Sequence, residues 1–140
     1  LENQLLKLNH RLTNIRHNYL HKTTSEIINR KPIFISLEDL NVKGMMKNKQ
    51  LAKAVQEQSF YEFKRIISYK ANWNNIKIIE VPRFYPSSKR CNICGYQKNN
   101  LTLKIRTWKC PICGTHHHRD INAAKNILNE GLKTQNHTNM

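Results

Sequence analysis

Four cysteines in two close pairs constrain the fold of this 140-residue sequence more than any other feature. Cys91 and Cys94 form one Cys-x2-Cys pair, Cys110 and Cys113 form the other, and fifteen residues separate the pairs. Each pair supplies two thiolates from one tight turn, and zinc favours four tetrahedral thiolates in structural sites. The spacing therefore predicts one structural zinc ion, bound by all four cysteines in a small ribbon.

Two glycines strengthen this prediction, because Gly95 and Gly114 directly follow the second cysteine of each pair. Glycine permits the backbone conformation that a metal-binding knuckle needs. A redox dithiol or an iron–sulfur cluster is the alternative, and the doubled, glycine-flanked pairs disfavour both. His116, His117 and His118 follow closely, and replacement of one cysteine by a histidine is the less favoured ligand set. Because four thiolates close the coordination shell, the zinc itself is not expected to be catalytic.

The charge of the chain predicts a polyanionic partner. There are 24 Lys and Arg residues against 9 Asp and Glu residues, a net charge of +15. Cationic proteins of this kind bind DNA or RNA through their phosphates, although a generic basic protein of ribosomal type would share the footprint. Trp108 and Tyr96 are candidates to stack on bases, and the alternative is a solvated basic face with one packed aromatic. The basic residues on or beside the ribbon that we expect to contact nucleic acid are Lys89, Arg90, Lys104, Arg106, Lys109 and Arg119.

Neither a membrane segment nor a signal peptide is predicted. No run of about 18 apolar residues occurs, and residues 1–20 are polar and amphipathic. A cytoplasmic location is expected, and in an intracellular chain the paired cysteines favour metal over disulfides. Since the first residue is Leu1, we expect the chain to begin inside a longer reading frame.

The first half of the sequence predicts helix, strand, helix and strand. A helix should end near Pro32, and its apolar face should pack against a core, with a short coiled coil as the alternative. Residues 33–37 indicate a strand buried on both faces, and residues 41–50 a loop. A second helix is predicted over 49–72 and a strand over 76–81. The first apolar face consists of Leu1, Leu5, Leu8, Leu12, Ile15 and Tyr19, and the second of Phe60, Phe63, Ile67 and Ala71.

The second half predicts the ribbon and a last helix. Residues 101–106 alternate between apolar and polar, which is typical of a half-buried strand. Helical spacing over 121–132 places Ile121, Ala124, Ile127 and Leu128 on one face, and Gly131 indicates the helix end. The tail after it is expected to be disordered. This order of elements indicates an α/β layer architecture.

Two carboxylates are candidates for chemistry. Glu38 ends the first buried strand, and functional groups gather beyond the carboxyl ends of strands in open α/β sheets. Asp120 precedes the last helix. Paired Mg²⁺ ions assist phosphodiester hydrolysis and require converging carboxylates, but a third carboxylate is not obvious, and Asp39 points to the opposite strand face. The simpler alternatives are a surface charge for Glu38 and a helix N-cap for Asp120.

Five motifs follow one another along the chain. They are Leu37-Glu38-Asp39-Leu40-Asn41-Val42-Lys43-Gly44-Met45, Arg83-Phe84-Tyr85-Pro86-Ser87-Ser88-Lys89, Cys91-Asn92-Ile93-Cys94-Gly95, Cys110-Pro111-Ile112-Cys113-Gly114 and Arg119-Asp120-Ile121-Asn122-Ala123-Ala124-Lys125-Asn126-Ile127. Together they resemble the OrfB/TnpB family of insertion-sequence transposases, and the match covers nearly the whole chain, in order and with compatible spacing.

The resemblance implies a partial RuvC-like nuclease fold of the RNase H type with an inserted four-cysteine zinc ribbon. Glu38 would be the second catalytic metal-binding residue and Asp120 the third, with Mg²⁺ as the ion of a complete site. DNA and a guide RNA would be the partners, as in the related type V CRISPR effectors. The implied division is a RuvC-like part over 1–82, the ribbon over 83–118, a RuvC-like helix over 119–132 and a disordered tail over 133–140.

One departure from the family leaves three functional hypotheses. The family's first catalytic Asp lies in a Gly-Ile-Asp-Leu-Gly-like motif, and no such motif occurs in this sequence. The chain is therefore expected to resemble the C-terminal part of a family member and to bind nucleic acid without cleaving it alone. The alternatives are a nuclease half that needs a separate N-terminal part, and a non-catalytic zinc-ribbon module that binds DNA or RNA.

Overall fold

The computed structural model describes residues 1–39 and 51–138, with side chains described over 1–39 and 58–137. The predicted loop over 41–50 lies outside these residues. Helices and strands mix along the chain, as predicted, and β1 pairs with β2 while β3 pairs with β4. The elements are helix α1 (Glu2–Asn29), strand β1 (Phe34–Glu38), helix α2 (Leu51–Trp73), strand β2 (Lys77–Val81), strand β3 (Thr107–Lys109), strand β4 (His116–His118) and helix α3 (Arg119–Thr138).

Two compact units divide the chain. Of the described residues, 1–34 and 51–78 form the helical unit, and 35–39 and 79–138 form the ribbon unit. None of the described helices is long and apolar enough to span a bilayer.

The helical unit consists of α1 packed against α2. Lys70 on α2 donates from Nζ to the His21 carbonyl, Thr24 Oγ1 and Ser25 Oγ of α1, at 2.8, 2.9 and 2.8 Å. Three acceptors thus replace the water that burial removes from this ammonium group. Asn75 ends the α2 segment with a φ of 56°, a left-handed conformation that asparagine tolerates. The buried side chains of this unit are Leu20, Thr24, Ile28, Ile66, Ile67, Ala71 and Ile76.

The predicted packing of the first apolar face is wrong for the described structure. Leu5 and Ile15 are more than half exposed, and Tyr19 is 67% exposed. The buried face of α1 instead contains Leu20, Thr24 and Ile28, at spacings of four residues. One residue turns an α-helix by about 100°, so a face that includes Leu20 excludes Tyr19. The exposed set, called the α1 stripe below, is Leu1, Leu5, Leu8, Leu12, Ile15 and Tyr19.

Residues 35–38 of β1 and 79–81 of β2 belong to the ribbon unit. Ile79 and Val81 of β2 are buried, whereas the residues of β1 are only partly buried, so the prediction of a strand buried on both faces is wrong. Within the described residues β1 pairs with one strand only, so one of its edges carries no neighbouring strand. Ser36 Oγ donates to the Ile127 carbonyl at 2.8 Å, which joins β1 to α3.

The strand predicted over 101–106 is also wrong. Its period-2 pattern belongs to an irregular segment in which Leu101 is buried, Leu103 is exposed and Ile105 N–H donates to the Thr102 carbonyl at 3.2 Å. The ribbon's strands come later, and β3 pairs antiparallel with β4, with Trp108 opposite His117.

Helix α3 differs from its prediction in both face and length. Asn122 and Asn126 are buried, while Ile121 and Leu128 are 57% and 48% exposed. The helix also passes through the buried Gly131 and continues to Thr138. The predicted end at Gly131 is therefore wrong, and so is the disordered tail as far as Thr138.

Candidate metal centre and carboxylates

The two cysteine pairs form knuckles with the same backbone pattern. In the first knuckle (residues 91–96), Cys91 N–H donates to the Tyr96 carbonyl at 2.8 Å and Gly95 N–H donates to the Cys91 carbonyl at 2.9 Å. The φ angles of Gly95 and Gly114 are +80° and +72°, as predicted from their positions. The second knuckle (residues 110–115) repeats both bonds, from Cys110 N–H to Thr115 O at 2.9 Å and from Gly114 N–H to Cys110 O at 3.0 Å.

The four sulfurs converge on one point. All four Sγ atoms lie within 4.8 Å of one another, and all four cysteines are free thiols. Cys94 Sγ lies 3.5 Å from Cys110 Sγ, and Cys91 Sγ lies 3.7 Å from Cys113 Sγ. Metal–sulfur bonds of about 2.3 Å in a tetrahedron place sulfurs about 3.8 Å apart. The predicted clustering is confirmed, and its geometry suits a single four-coordinate ion.

The thiols do not ionise alike. Side-chain and backbone hydrogen bonds from Thr115 lower the pKa of Cys113 to about 6. The Tyr96 backbone acts in the same direction on Cys94, but burial and the neighbouring thiols outweigh it and raise the pKa of Cys94 to about 11. Negative charge is costly on sulfurs this close together, and a bound cation relieves that cost.

His117 lies beside the sulfurs, not among them. The described group that could hold a metal contains the four cysteines only. His117 Nε2 lies 3.0 Å from Cys91 Sγ, the imidazole is buried, and its ring is 4.7 Å from that of Trp108. Burial, with help from Lys125 and His116, lowers the pKa of His117 and favours the neutral ring. Such a ring can orient a ligating sulfur from outside the coordination shell.

Trp108 belongs to the small core of the ribbon. It is 5% exposed and packs with Leu101, Cys91 and Cys110, with Tyr96 and Ile105 against them. Of the two predictions for this residue, internal packing is therefore the correct one.

The six basic residues predicted to contact nucleic acid differ in their exposure to solvent. Lys104, Arg106 and Lys109 are exposed, whereas Lys89, Arg90 and Arg119 are partly buried. Arg119 donates from Nη1 to the Thr102 carbonyl at 2.8 Å, so this side chain braces the ribbon.

Glu38 and Asp120 occupy different surroundings. Burial raises the pKa of Glu38 at the end of β1, and a hydrogen bond with the Ser87 side chain opposes that rise. Asp120 lies in the first turn of α3, 67% exposed and 3.9 Å from Arg106. Asp39 instead pairs with Arg83 at 3.2 Å. Within the described residues no carboxylates form a group of three, and the catalytic roles of Glu38 and Asp120 stay predictions.

Three residues that contact the candidate site were missed from the sequence. Ser87 touches Glu38, and Asn122 and Asn126 bind the backbone beside the first knuckle. The i, i+4 spacing of the two asparagines was the available signal, but the apolar residues beside them directed the prediction to a different face.

Comparison with known proteins now gives this arrangement a context. Residues 60–127 match the Cas12f1-like TNB domain, a segment that contains the four-sulfur centre. The chain is 36% identical over 129 residues, 92% of its length, to an RNA-guided DNA endonuclease homologue of Streptomyces pristinaespiralis, covering 32% of that protein. The chain is 30% identical to InsQ of Escherichia coli, which is also named an RNA-guided DNA endonuclease, over 91% of this chain and 35% of InsQ.

A third relative and a solved structure agree. A TnpB-like protein of Acanthamoeba polyphaga mimivirus is 32% identical over 95% of this chain and 26% of its own length. The fold resembles a chain of the Cas12f1–sgRNA–target DNA complex with a TM-score of 0.69, at 22% identity, over 91% of this chain and 37% of that chain. The resemblance to the TnpB family predicted from the motifs is confirmed. It spans about a third of the length of the curated relatives named first.

Proposed function

We propose that this chain is the nucleic-acid-binding, RuvC-like part of a TnpB-type RNA-guided DNA endonuclease. The observation that carries the proposal is the four-sulfur centre inside the segment that matches the Cas12f1-like TNB domain. Residues 1–82 and 119–132 would form the RuvC-like part and residues 83–118 the ribbon. Such a protein would act on DNA with a guide RNA, in the cytoplasm.

The ion of the four-sulfur centre is proposed to be zinc. Four thiolates at tetrahedral spacing are the donor set that zinc takes in structural sites, and they leave no position for substrate. Cys91, Cys94, Cys110 and Cys113 would hold it, and its binding would supply folding free energy that the small ribbon core lacks. Elemental analysis of the purified chain should find one zinc per chain, and none in a Cys91→Ser, Cys110→Ser variant.

The ribbon's exposed cations are proposed to bind phosphates. Lys104, Arg106 and Lys109 point to solvent in the part of the chain that matches the TNB domain. Each phosphate contact adds about 0.7–0.9 to the slope of log affinity against log salt concentration. Replacing these three residues with Gln should reduce that slope by about two. The matched control replaces the exposed Lys7, Arg11 and Lys22 of α1 with Gln, which removes the same charge elsewhere.

Glu38 and Asp120 are proposed to be the two carboxylates of the nuclease centre that this chain contributes. Glu38 is held in a half-buried, desolvated position, where a cation replaces lost water. Asp120 is exposed and pairs only loosely with Arg106. Bound Mg²⁺ would supply activation of water and stabilisation of the leaving oxygen. Because the family's first Asp motif is missing from this sequence, these 140 residues should bind nucleic acid without cleaving it.

A cleavage assay tests this proposal directly. The chain is incubated with Mg²⁺ and single- or double-stranded DNA, with Glu38→Ala as the control for contaminating nuclease. We expect salt-sensitive binding by both proteins and cleavage by neither. Cleavage by the wild type that is lost in Glu38→Ala would show a complete centre and contradict the proposal. Failure to bind any nucleic acid would contradict the proposal that the chain binds nucleic acid.

A further inference from the structure

Two buried asparagines of α3 bind the backbone on both sides of Cys91. Asn122, 2% exposed, donates from Nδ2 to the Arg90 carbonyl at 2.7 Å and accepts at Oδ1 from Asn92 N–H at 3.1 Å. Asn126, 3% exposed, donates from Nδ2 to the Arg90 carbonyl at 2.6 Å and to the Ser87 carbonyl at 2.8 Å. Four hydrogen bonds from side-chain amides therefore fix the entrance to the first knuckle.

These contacts join a metal ligand to a carboxylate-bearing helix. Arg90 and Asn92 are the neighbours of Cys91, so an ion that fixes the Cys91 sulfur also fixes the groups that the asparagines bind. Asn122 and Asn126 lie one turn apart on α3, and Asp120 lies two residues before Asn122. The first two turns of α3, including Asp120, are thereby tied to the knuckle.

Asn126 also connects toward the other carboxylate. The Ser87 carbonyl accepts from Asn126, and the Ser87 side chain faces the Glu38 carboxyl. Ser36, two residues before Glu38, donates to the Ile127 carbonyl, next to Asn126. The end of β1 and the start of α3 are thus connected through Ser87 and through Ser36.

We propose that Asn122 and Asn126 are positioning residues that make metal loading of the ribbon set the place of Asp120 relative to Glu38. Neither asparagine touches substrate or ion. The ribbon then has a second task besides contact with nucleic acid, because its folding orders the helix that bears Asp120. The nuclease roles of the two carboxylates rest on the proposed function, whereas the coupling between ribbon and helix does not.

Hydrogen exchange of the full chain, followed by mass spectrometry, tests the coupling without any nuclease activity. Chelation of Zn²⁺ from the wild type should speed exchange in peptides covering 119–127 and 35–38. In the zinc-loaded Asn126→Asp variant, whose side chain has the same size but cannot donate, these peptides should already exchange about tenfold faster than in the wild type. Asn129→Asp is the matched control, since Asn129 is exposed on the same helix.

A second variant keeps the proposal testable if Asn126→Asp does not fold. Asn122→Ala removes one donor and one acceptor and should release Zn²⁺ to a chelator several-fold faster than Asn129→Ala. Exchange in α1 and α2 reports in every sample whether the helical unit is folded. Wild-type exchange over 119–127 in zinc-loaded Asn126→Asp would overturn the proposal, and so would indifference of this region to chelation in the wild type. If Asn126→Asp fails to fold, Asn122→Ala decides by the same two measurements.

Discussion

The helical unit and the ribbon reach their folded states by different means. Ile66, Ile67 and Ala71 of α2 are fully buried in the helical unit, where apolar burial supplies the driving force. The ribbon has a core of Leu101 and Trp108 with two cysteines, and four sulfurs that repel one another when ionised. One part of the chain should therefore depend on a cation for its fold and the other should not, and four changes of decreasing effect test that contrast.

Removal of the metal should have the largest effect. In zinc sites of this kind, binding contributes about 10 kcal/mol or more to folding. Chelation, or Cys110→Ser, should abolish the β3–β4 pair and the protection of the ribbon amides, as seen by NMR. The amides of α1 and α2 serve as the internal control and should keep their protection. If the amides of α1 and α2 lost their protection together with those of the ribbon, the two parts would not differ in their dependence on the metal.

A cavity created in the helical unit should destabilise that unit and leave the ribbon unchanged. Ile67→Ala removes a fully buried side chain, and such changes cost about 2–5 kcal/mol. Chemical denaturation should show this loss in the α1–α2 transition, with zinc content unchanged. The control is Ile33→Ala, because Ile33 is 83% exposed and its truncation should alter stability little. A fall in zinc content with Ile67→Ala would show that the two units stabilise each other.

Substitution at a knuckle glycine should have a smaller effect, confined to the ribbon. Gly114 has a φ of +72°, and an added Cβ would meet only the end of the Lys109 side chain at 3.9 Å. Gly114→Ala should therefore cost about 1–2 kcal/mol through its backbone conformation, without a steric clash. Zinc affinity measured by competition should fall about tenfold. Gly114→Asn should lose less, because asparagine tolerates this region, and equal losses would mean that φ is not the cause.

The smallest effect, and the only stabilising one, should come from Glu38. Burial raises its pKa, so the folded chain binds this proton more tightly than the unfolded chain, and ionisation reduces stability. Glu38→Gln should raise the free energy of unfolding at pH 7 by less than about 1 kcal/mol, because the carboxyl is only half buried, and the Tm should rise accordingly.

The pH dependence gives this prediction its control. The gain from Glu38→Gln should shrink as the pH falls through the raised pKa and vanish below about 4.5, where Glu38 is protonated in both states. Glu26→Gln, at an exposed position of α1, controls for the loss of one negative charge. A Tm that falls at pH 7 would mean that Glu38 has a stabilising partner.

Local chemistry explains which features the sequence could predict. The cysteine spacing and the two glycines predicted the four-sulfur cluster and its positive φ angles because ligand geometry and backbone sterics act over a few residues. Pro32 marked a helix end for the same reason. The predicted burial of the α1 stripe and of the apolar face of α3 was wrong, because spacing shows which residues share a face but not which face packs against the rest of the protein.

The buried asparagines show a second limit of sequence reasoning. Asn122 and Asn126 were passed over in favour of Ile121 and Leu128, since hydrophobicity alone ranks amides as surface residues. Their burial is stable only because backbone carbonyls of a distant segment accept their hydrogens, and residues 87–92 lie thirty or more positions away from them. The catalytic assignment of Glu38 and Asp120 depended on family resemblance, because a lone carboxylate carries no sign of its partners.

The α1 stripe has a consequence for the behaviour of the chain in solution. An apolar band of this kind attracts other apolar surfaces, while a net charge of +15 keeps molecules apart. Salt shortens the range of that repulsion to about 8 Å at physiological strength but leaves the apolar attraction intact. The purified chain should therefore be most dispersed in dilute buffer and should cluster as salt is added. Light scattering measured at increasing ionic strength would detect this association, and the double variant Leu8→Gln, Leu12→Gln should show a smaller increase in scattering with salt.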